Sequence, residues 1–469
     1  MNILFILPSA KSRYFDLDYH HGVAQLSAQV RQSGHGTALL QLARLDRKAI
    51  DRKLAASKPD LLAFSFASDS AGLAKEIMQY TKKYGIYTIA GGVHATVAPE
   101  EVINWVDVLC LGEGENALVD VINGVPLQRI ANLWAHQNGE LIKNAPGKLL
   151  HDLDALPFSD RSLFDYQRVL DKDHRADFMA GRGCPFRCSY CINSQLLNLA
   201  PGRFVRWRSQ EHLIAEIKAV LSAYNGIESI CFQDDTFALN ANWLNKFTAM
   251  YTREIGLPFA CNLRVGSFDE AIIDALAQAG CTEVRMGVEQ GNDQLRRQVL
   301  HRNMDKKSIT DAFAMAKKAG IKTFAYNMVG IPGETVATIQ ETIALNQKIK
   351  PDKLHVSMFR PYPGTELYDQ CRKYGYLTSK ATSSFFEPVS TVQLPTITRK
   401  ELEFYFRIFR IAALYPRLTP LAALLAKCQL GPRLNLYDFF FKSALSIFFF
   451  LRSKMPKSIK NPIFRLLKA

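Results

Sequence analysis

The feature that most constrains this chain is a repeated alternation of short apolar runs and amphipathic helical stretches, which occurs in two separate series. In the first, "NILFILP" from Asn2 reads as a strand and "GVAQLSAQVRQSG" as a helix closed by Gly34. "TALLQL", "DLLAFSF", "YTIAGG" and "VDVLCLGEGE" follow as further strands, with "AGLAKEIMQYTKKYG" as a helix among them. Continuous apolar runs bounded by glycine suit strands buried on both faces. Five such β/α units over residues 1 to 130 predict an α/β domain with a doubly wound parallel sheet. Ligands of such sheets bind at the carboxyl ends of the strands. Found there are Pro8-Ser9, Phe66-Ala67-Ser68, Gly91-Gly92-Val93-His94 and Gly112-Glu113-Gly114.

Residues 131–165 show little periodicity and read as a linker ending in "DLDALPFSDRSLFD". The second series, assigned to 166–375, carries six strands: "DFMAGRG", "SICFQD", "FACNLR", "EVRMGVE", "TFAYNMVG" and "KLHVSMF". Helices such as "EHLIAEIKAVLSAY" and "SITDAFAMAKKAG" lie between them, which predicts a partial (β/α)6 barrel with its chemistry at the strand carboxyl ends. Residues 376–469 change character and read as a helical, basic and aromatic C-terminal segment.

Right after the first strand of the second series stands "CPFRCSYC", with Cys184, Cys188 and Cys191 spaced C-x3-C-x2-C. A closed zinc site needs four ligands, and no second CxxC or histidine pair waits nearby. A redox pair would use Cys188 and Cys191 and leave Cys184 unexplained. Three thiolates can instead hold three irons of a [4Fe–4S] cube and leave the fourth iron open to a small chelating ligand. The nine cysteines are otherwise scattered and odd in number, which fits a reducing cytoplasm better than a secreted disulfide framework.

CxxxCxxC at this place resembles the radical S-adenosylmethionine (SAM) superfamily. The resemblance implies that the open iron is chelated by SAM, whose reductive cleavage gives a 5′-deoxyadenosyl radical. Further stretches match in order: "CSYC" with Tyr190, "FQDDTF" with Asp234 and Asp235, "NLRVG" with Arg264, "MGVEQGND" with Glu289 and Gly291, then "VGIPGET" and "RPYPGTELY". By residue type, Arg264 suits the SAM carboxylate, Glu289 the ribose hydroxyls, and Asp234 or Asp235 the ammonium or the substrate. Each carboxylate has a plainer reading as a surface residue or helix cap.

The front unit resembles the cobalamin-binding-like domain of one radical SAM branch, through "GGVHATVAPEE", "DVLCLGEGE" and "DLDALPFSDRSLFD". That resemblance implies cobalamin as a second cofactor, with Gly91, Gly92, His94, Gly112, Glu113 and Gly114 as its contacts. The chain departs from the classical cobalt-ligand motif D-x-H-x-x-G: Asp18-x-His20-x-Gly22 is one residue short, and His20 and His21 read as a helix start. Both resemblances together imply methylation of an unactivated carbon, with flavodoxin or ferredoxin as electron donor and a small-molecule or lipid-linked substrate. The rival within the family is a non-methylating enzyme (cyclisation, rearrangement or oxidation) that uses the front domain as a scaffold. A methylthiotransferase would need three further N-terminal cysteines, and only Cys110 precedes the motif. A non-enzymatic cobalamin or metal sensor would not need the series of barrel-end motifs.

From Thr396 onward the sequence carries fourteen Lys/Arg against three acidic residues, and most of the net charge of +14 sits there. Basic residues among phenylalanines in "NLYDFFFKSALSIFFFLRSK" fit a peripheral contact on the inner face of a membrane or a helical cap on the barrel, and both readings stay open. No RNA-binding module accompanies the charge, so no nucleic acid is expected. No signal peptide is expected at "MNILFILPSA", and no run reaches the length of a transmembrane helix. The expected localisation is cytoplasmic.

Overall fold

The computed structural model describes residues 1–9, 19–199, 202–378 and 389–427. Asp18 and the tail from Cys428 onward, including the phenylalanine-rich stretch, lie outside them.

The first sheet holds seven strands: β1 (Asn2–Pro8), β2 (Gly36–Leu42), β3 (Leu61–Ser65), β4 (Tyr87–Gly91), β5 (Val108–Cys110), β6 (Leu133–Gln137) and β7 (Glu140–Lys143). Their order is β2-β1-β3-β4-β5-β6-β7. The first five are parallel. Strand β1 shows why: Ile3, Phe5 and Leu7 enter one apolar layer and Leu4 and Ile6 the other, so both faces need helices over them. The order reverses at β1, which puts the ligand crevice of such a sheet beside the ends of β1 and β3.

Strands β6 and β7 correct the linker reading of 131–165. They form an antiparallel hairpin that extends the sheet beyond β5. Asn138 and Gly139 both have positive φ (53° and 82°), the requirement of a two-residue type I′ turn. The remainder of the segment runs back along the front unit, where Asp160 accepts from Ser27 Oγ at 2.6 Å and Pro157 O accepts from Gln25.

The second sheet is built from β8 (Arg175–Phe178), then β11 (Ser229–Phe232), β12 (Phe259–Leu263), β13 (Cys281–Glu289), β14 (Lys322–Val329) and β15 (Lys353–Met358). Between β8 and β11 lies a small antiparallel ladder of β9 (Gly181–Arg182) and β10 (Arg206–Trp207). All six main strands are parallel, in the order β8-β11-β12-β13-β14-β15, an open half-barrel. Ser209, Asn240, Asp269, Asn292, Asp305 and Thr335 each cap a following helix, accepting from a backbone N–H three residues on. Such caps fix where each helix starts after its strand-end loop. One large apolar core lies between the sheet and these helices. The helix Arg399–Leu414 packs on β15 and on the helix Val336–Ile349. Among the described residues, no helix is long and apolar enough to cross a membrane.

Candidate functional site

A cavity of about 460 Å³ lies between the carboxyl ends of the front strands and the β9–β10 ladder that follows β8. Phe66, Gly91, Gly92, Gly112 and Gly114 line it from the front sheet, and Gly183, Leu196 and Phe204 from the half-barrel. Thr96 sets the shape of the front wall: its hydroxyl donates to Gly92 O (2.8 Å) and accepts from Gly112 N (3.0 Å), tying the two glycine turns together.

The cysteine loop starts from β9. Gly183 has φ +89°, and a Cβ there would lie 2.4 Å from Phe204 O, so glycine is required immediately before Cys184. Asp234 accepts from Ala180 N (3.0 Å) and Gly181 N (2.7 Å) and fixes the approach to the loop. Ser189 pins its far side, donating to Val299 O at 2.5 Å. Cys188 is buried and Cys184 and Cys191 are partly so. Burial raises the Cys184 thiol and pushes Cys191 up to about 12. Iron ligation must therefore displace protons from these thiols. Among the described residues no three His, Cys, Asp or Glu side chains converge on one ion.

Two guanidinium groups stand beside Cys188. Arg264 Nη1 donates to its Sγ at 3.3 Å while lying over the Phe186 ring (3.9 Å). Arg302 Nη1 lies 3.9 Å from the same sulfur and donates to Tyr190 Oη at 3.1 Å; its Nη2 donates to Gly287 O at 2.7 Å. Glu289, at the end of β13, sits 3.8 Å from Arg302. Its backbone φ is +62°, costly for a residue with a Cβ and held here by its surroundings. Gly287 makes the room, because a Cβ there would lie 2.3 Å from Glu289 Oε1 and 2.9 Å from Arg302 Nη2. Burial raises the Glu289 carboxyl, against the pull of Arg302 and a hydrogen bond from Tyr190.

The structure thus brings Tyr190, Arg264, Glu289 and the three cysteines together, with exposed Asp235 next to the loop through Asn193. Other expected contacts have different work. Both Asp234 oxygens are occupied by backbone, and burial raises that carboxyl to about 7. Gly291 packs against the helix Val336–Ile349, where a Cβ would meet Thr342 Cα at 2.4 Å. His94 is absent from the cavity wall: its ring bonds Ser68 Oγ (2.9 Å) and stacks on Trp105. Helical turn Val93–Val97 carries it under the glycine turn, and Val93 and Thr96 face the cavity instead. Glu113 lines the cavity, but its carboxylate is engaged by Arg206 (2.7 and 3.0 Å) and Arg182 (3.0 Å). Glu115 takes the other Arg182 nitrogen at 2.6 Å. Burial opposes ionisation of Glu113, and the two arginines outweigh it and hold the carboxyl down at about 2. This clamp joins the front sheet to the ladder from which the cysteine loop springs.

Sequence reasoning missed Arg302, Gly287, Thr96, Arg182 and Arg206. No motif flags Arg302, which lies in the turn after the helix Asp293–Gln298. His20 accepts from Val23 N and caps the helix His21–Gln32. His21 Nε2 is buried at the cavity with no hydrogen-bond partner among the described residues, and burial, then the charge of Arg161, lowers its pKa to about 4. A neutral imidazole, four glycines and apolar Phe66 make a wall that a flat, largely apolar macrocycle fits.

Residues 179–345 match the radical SAM superfamily, and residues 15–122 match the B12 binding domain. The chain thus carries a radical SAM domain and a B12 binding domain, and it is a radical SAM enzyme. The B12 binding domain precedes the radical SAM domain, and the cofactors that go with these two domains are a [4Fe–4S] cluster, SAM and cobalamin. An uncharacterized methyltransferase of Pyrococcus horikoshii is 27% identical over 390 residues, covering 79% of this chain and 83% of that protein. The anaerobic magnesium-protoporphyrin IX monomethyl ester cyclase of Rubrivivax gelatinosus is 22% identical over 404 residues, covering 79% and 70%. The cobalamin-dependent SAM radical enzyme OxsB, solved with aqua-cobalamin and SAM bound, superposes with a TM-score of 0.69 at 14% identity, covering 94% of this chain and 75% of that one. This last likeness is one of fold.

Proposed function

We propose that the protein methylates an unactivated carbon of a small-molecule substrate. The observation that supports this reading is that the cavity walled by Gly91, Gly92, Gly112 and Gly114 reaches Gly183 and Asn193, the residues on either side of the cysteine motif. Cys184, Cys188 and Cys191 would hold the cluster. Glu289, Tyr190 and Arg264 would bind SAM, with Asp235 next to them. Gly91, Gly92, Gly112 and Gly114, braced by Thr96, would present backbone to the corrin. When bound, the cluster and SAM supply a hydrogen-abstracting radical, and cobalamin supplies a methyl carrier. The chain's own contribution is to orient SAM by Glu289 and Arg264, to keep water out with the apolar cavity wall, and to hold the two halves in register through the Glu113 clamp.

The test is anaerobic: reconstituted protein is given SAM, hydroxocobalamin and dithionite. S-adenosylhomocysteine formed only when cobalamin is present supports methylation. 5′-Deoxyadenosine formed equally with and without cobalamin, and no S-adenosylhomocysteine, refutes it and favours ring closure, the second reading raised by the cyclase relative. Each of Cys184→Ala, Cys188→Ala and Cys191→Ala is expected to lose the cluster's iron and sulfide, whereas Cys110→Ala keeps them.

A further inference from the structure

We infer that Arg302 sets the reduction potential of the cluster and is a positioning residue for this site. The inference rests on the proposal above that Cys188 is a cluster ligand. Three observations carry it. Arg302 is buried (6% exposed) and reaches Cys188 Sγ, Tyr190 Oη and Gly287 O with its two terminal nitrogens. Gly287 has no side chain, and any Cβ there would displace Arg302 or Glu289, so the backbone itself keeps this position for the guanidinium. Arg264 donates to the same sulfur, so two cations serve one of the three cysteines and one carboxylate, Glu289, stands against them.

Hydrogen bonds to ligand sulfurs and the surrounding charge are the levers by which a protein tunes an iron–sulfur potential. Reduction adds one electron from an external donor to the cluster and moves no proton. The reduced cluster is one unit more negative, so a fixed cation at Cys188 favours it and raises the midpoint. An isolated guanidinium would do the same, but Tyr190 and Gly287 hold this one in a planar fork that lysine cannot reproduce. Tyr190 lies between two cysteines of the motif, so its ring also makes the guanidinium's place depend on the loop being closed.

The experiment is an EPR-monitored redox titration of the reconstituted full-length protein, with dithionite as reductant. Arg302→Gln is expected to lower the reduced-to-oxidised ratio at a given potential about tenfold, a shift of roughly 59 mV to more negative values for one electron. Arg302→Lys, which keeps charge but not the fork, is expected to shift it less. EPR counts only assembled clusters, so partial loading changes amplitude and leaves the midpoint readable. A midpoint in Arg302→Gln equal to that of the unaltered protein, or more positive, overturns the inference. Should Arg302→Gln assemble no cluster, Tyr190→Phe removes one anchor of the guanidinium, and an unchanged midpoint there overturns it equally. Iron content of Cys188→Ala reports separately on whether Cys188 is a ligand, so failure of that assignment is distinguishable from failure of this one.

Discussion

Replacing Glu113 by glutamine removes the charge at the centre of the clamp while keeping the shape. The folded carboxyl titrates at about 2 against an ordinary value of 4.5. That difference corresponds to about 3 kcal/mol at neutral pH. The carboxylate side chain is 21% exposed and Arg206 only 4%, so solvent screening removes little. Glutamine keeps one neutral acceptor, worth about 1 kcal/mol, which leaves a loss of about 2 kcal/mol. Arg182 retains Glu115, so the cost falls mainly on Arg206. Amide hydrogen exchange of the β9–β10 ladder measures it: Arg182 and Arg206, the bonded pair of the ladder, should exchange about 30-fold faster at pH 7 in Glu113→Gln. The folded value is the lower one, so the stabilisation is complete above about 4.5 and disappears as pH falls through about 2. Protection of the ladder should therefore decline over that window in the unaltered protein, and the variant should lack this component. Equal exchange in both proteins at pH 7 would refute the assignment of Glu113 as the counter-charge that holds the ladder.

Glu289→Gln should weaken SAM binding roughly 10- to 100-fold, the worth of one charge-assisted hydrogen bond, as read by equilibrium dialysis against the cluster-loaded protein. Gly291→Ala should lower the thermal unfolding midpoint, since overpacking at the helix Val336–Ile349 costs about 1–3 kcal/mol; an unchanged midpoint would show that the helix yields.

The front sheet was legible because a strand buried on two faces must be apolar throughout, and β1 and β3 read that way on sight; the half-barrel was legible from its repeat of strand and helix. The cysteine loop was legible because cluster ligation demands a local spacing. The hairpin β6–β7 carried a signal that composition hid: Asn138-Gly139 names its turn, while the polar residues of an edge strand masked the strands themselves. What sequence could not show was how strand-end loops divide the work among themselves. Asp234 and Asp235 are neighbours in "FQDDTF", yet one is consumed by backbone and the other is exposed. Glu113 belonged to a glycine turn that promised ligand contact, and its partners lie 69 and 93 residues away. Arg302 answers to no local pattern, because its value lies in partners drawn from two distant segments, the cysteine loop and β13.

The clamp bears on how freely the halves of such a protein can be exchanged. Arg182 stands two residues before Cys184, and its counter-charges come from the other sheet. A grafted front half lacking carboxylates at the positions of 113 and 115 would strand two cations at the root of the cysteine loop. Recombination between relatives is thus confined to partners that carry both acids, and the inheritance of one half is chemically bound to that of the other.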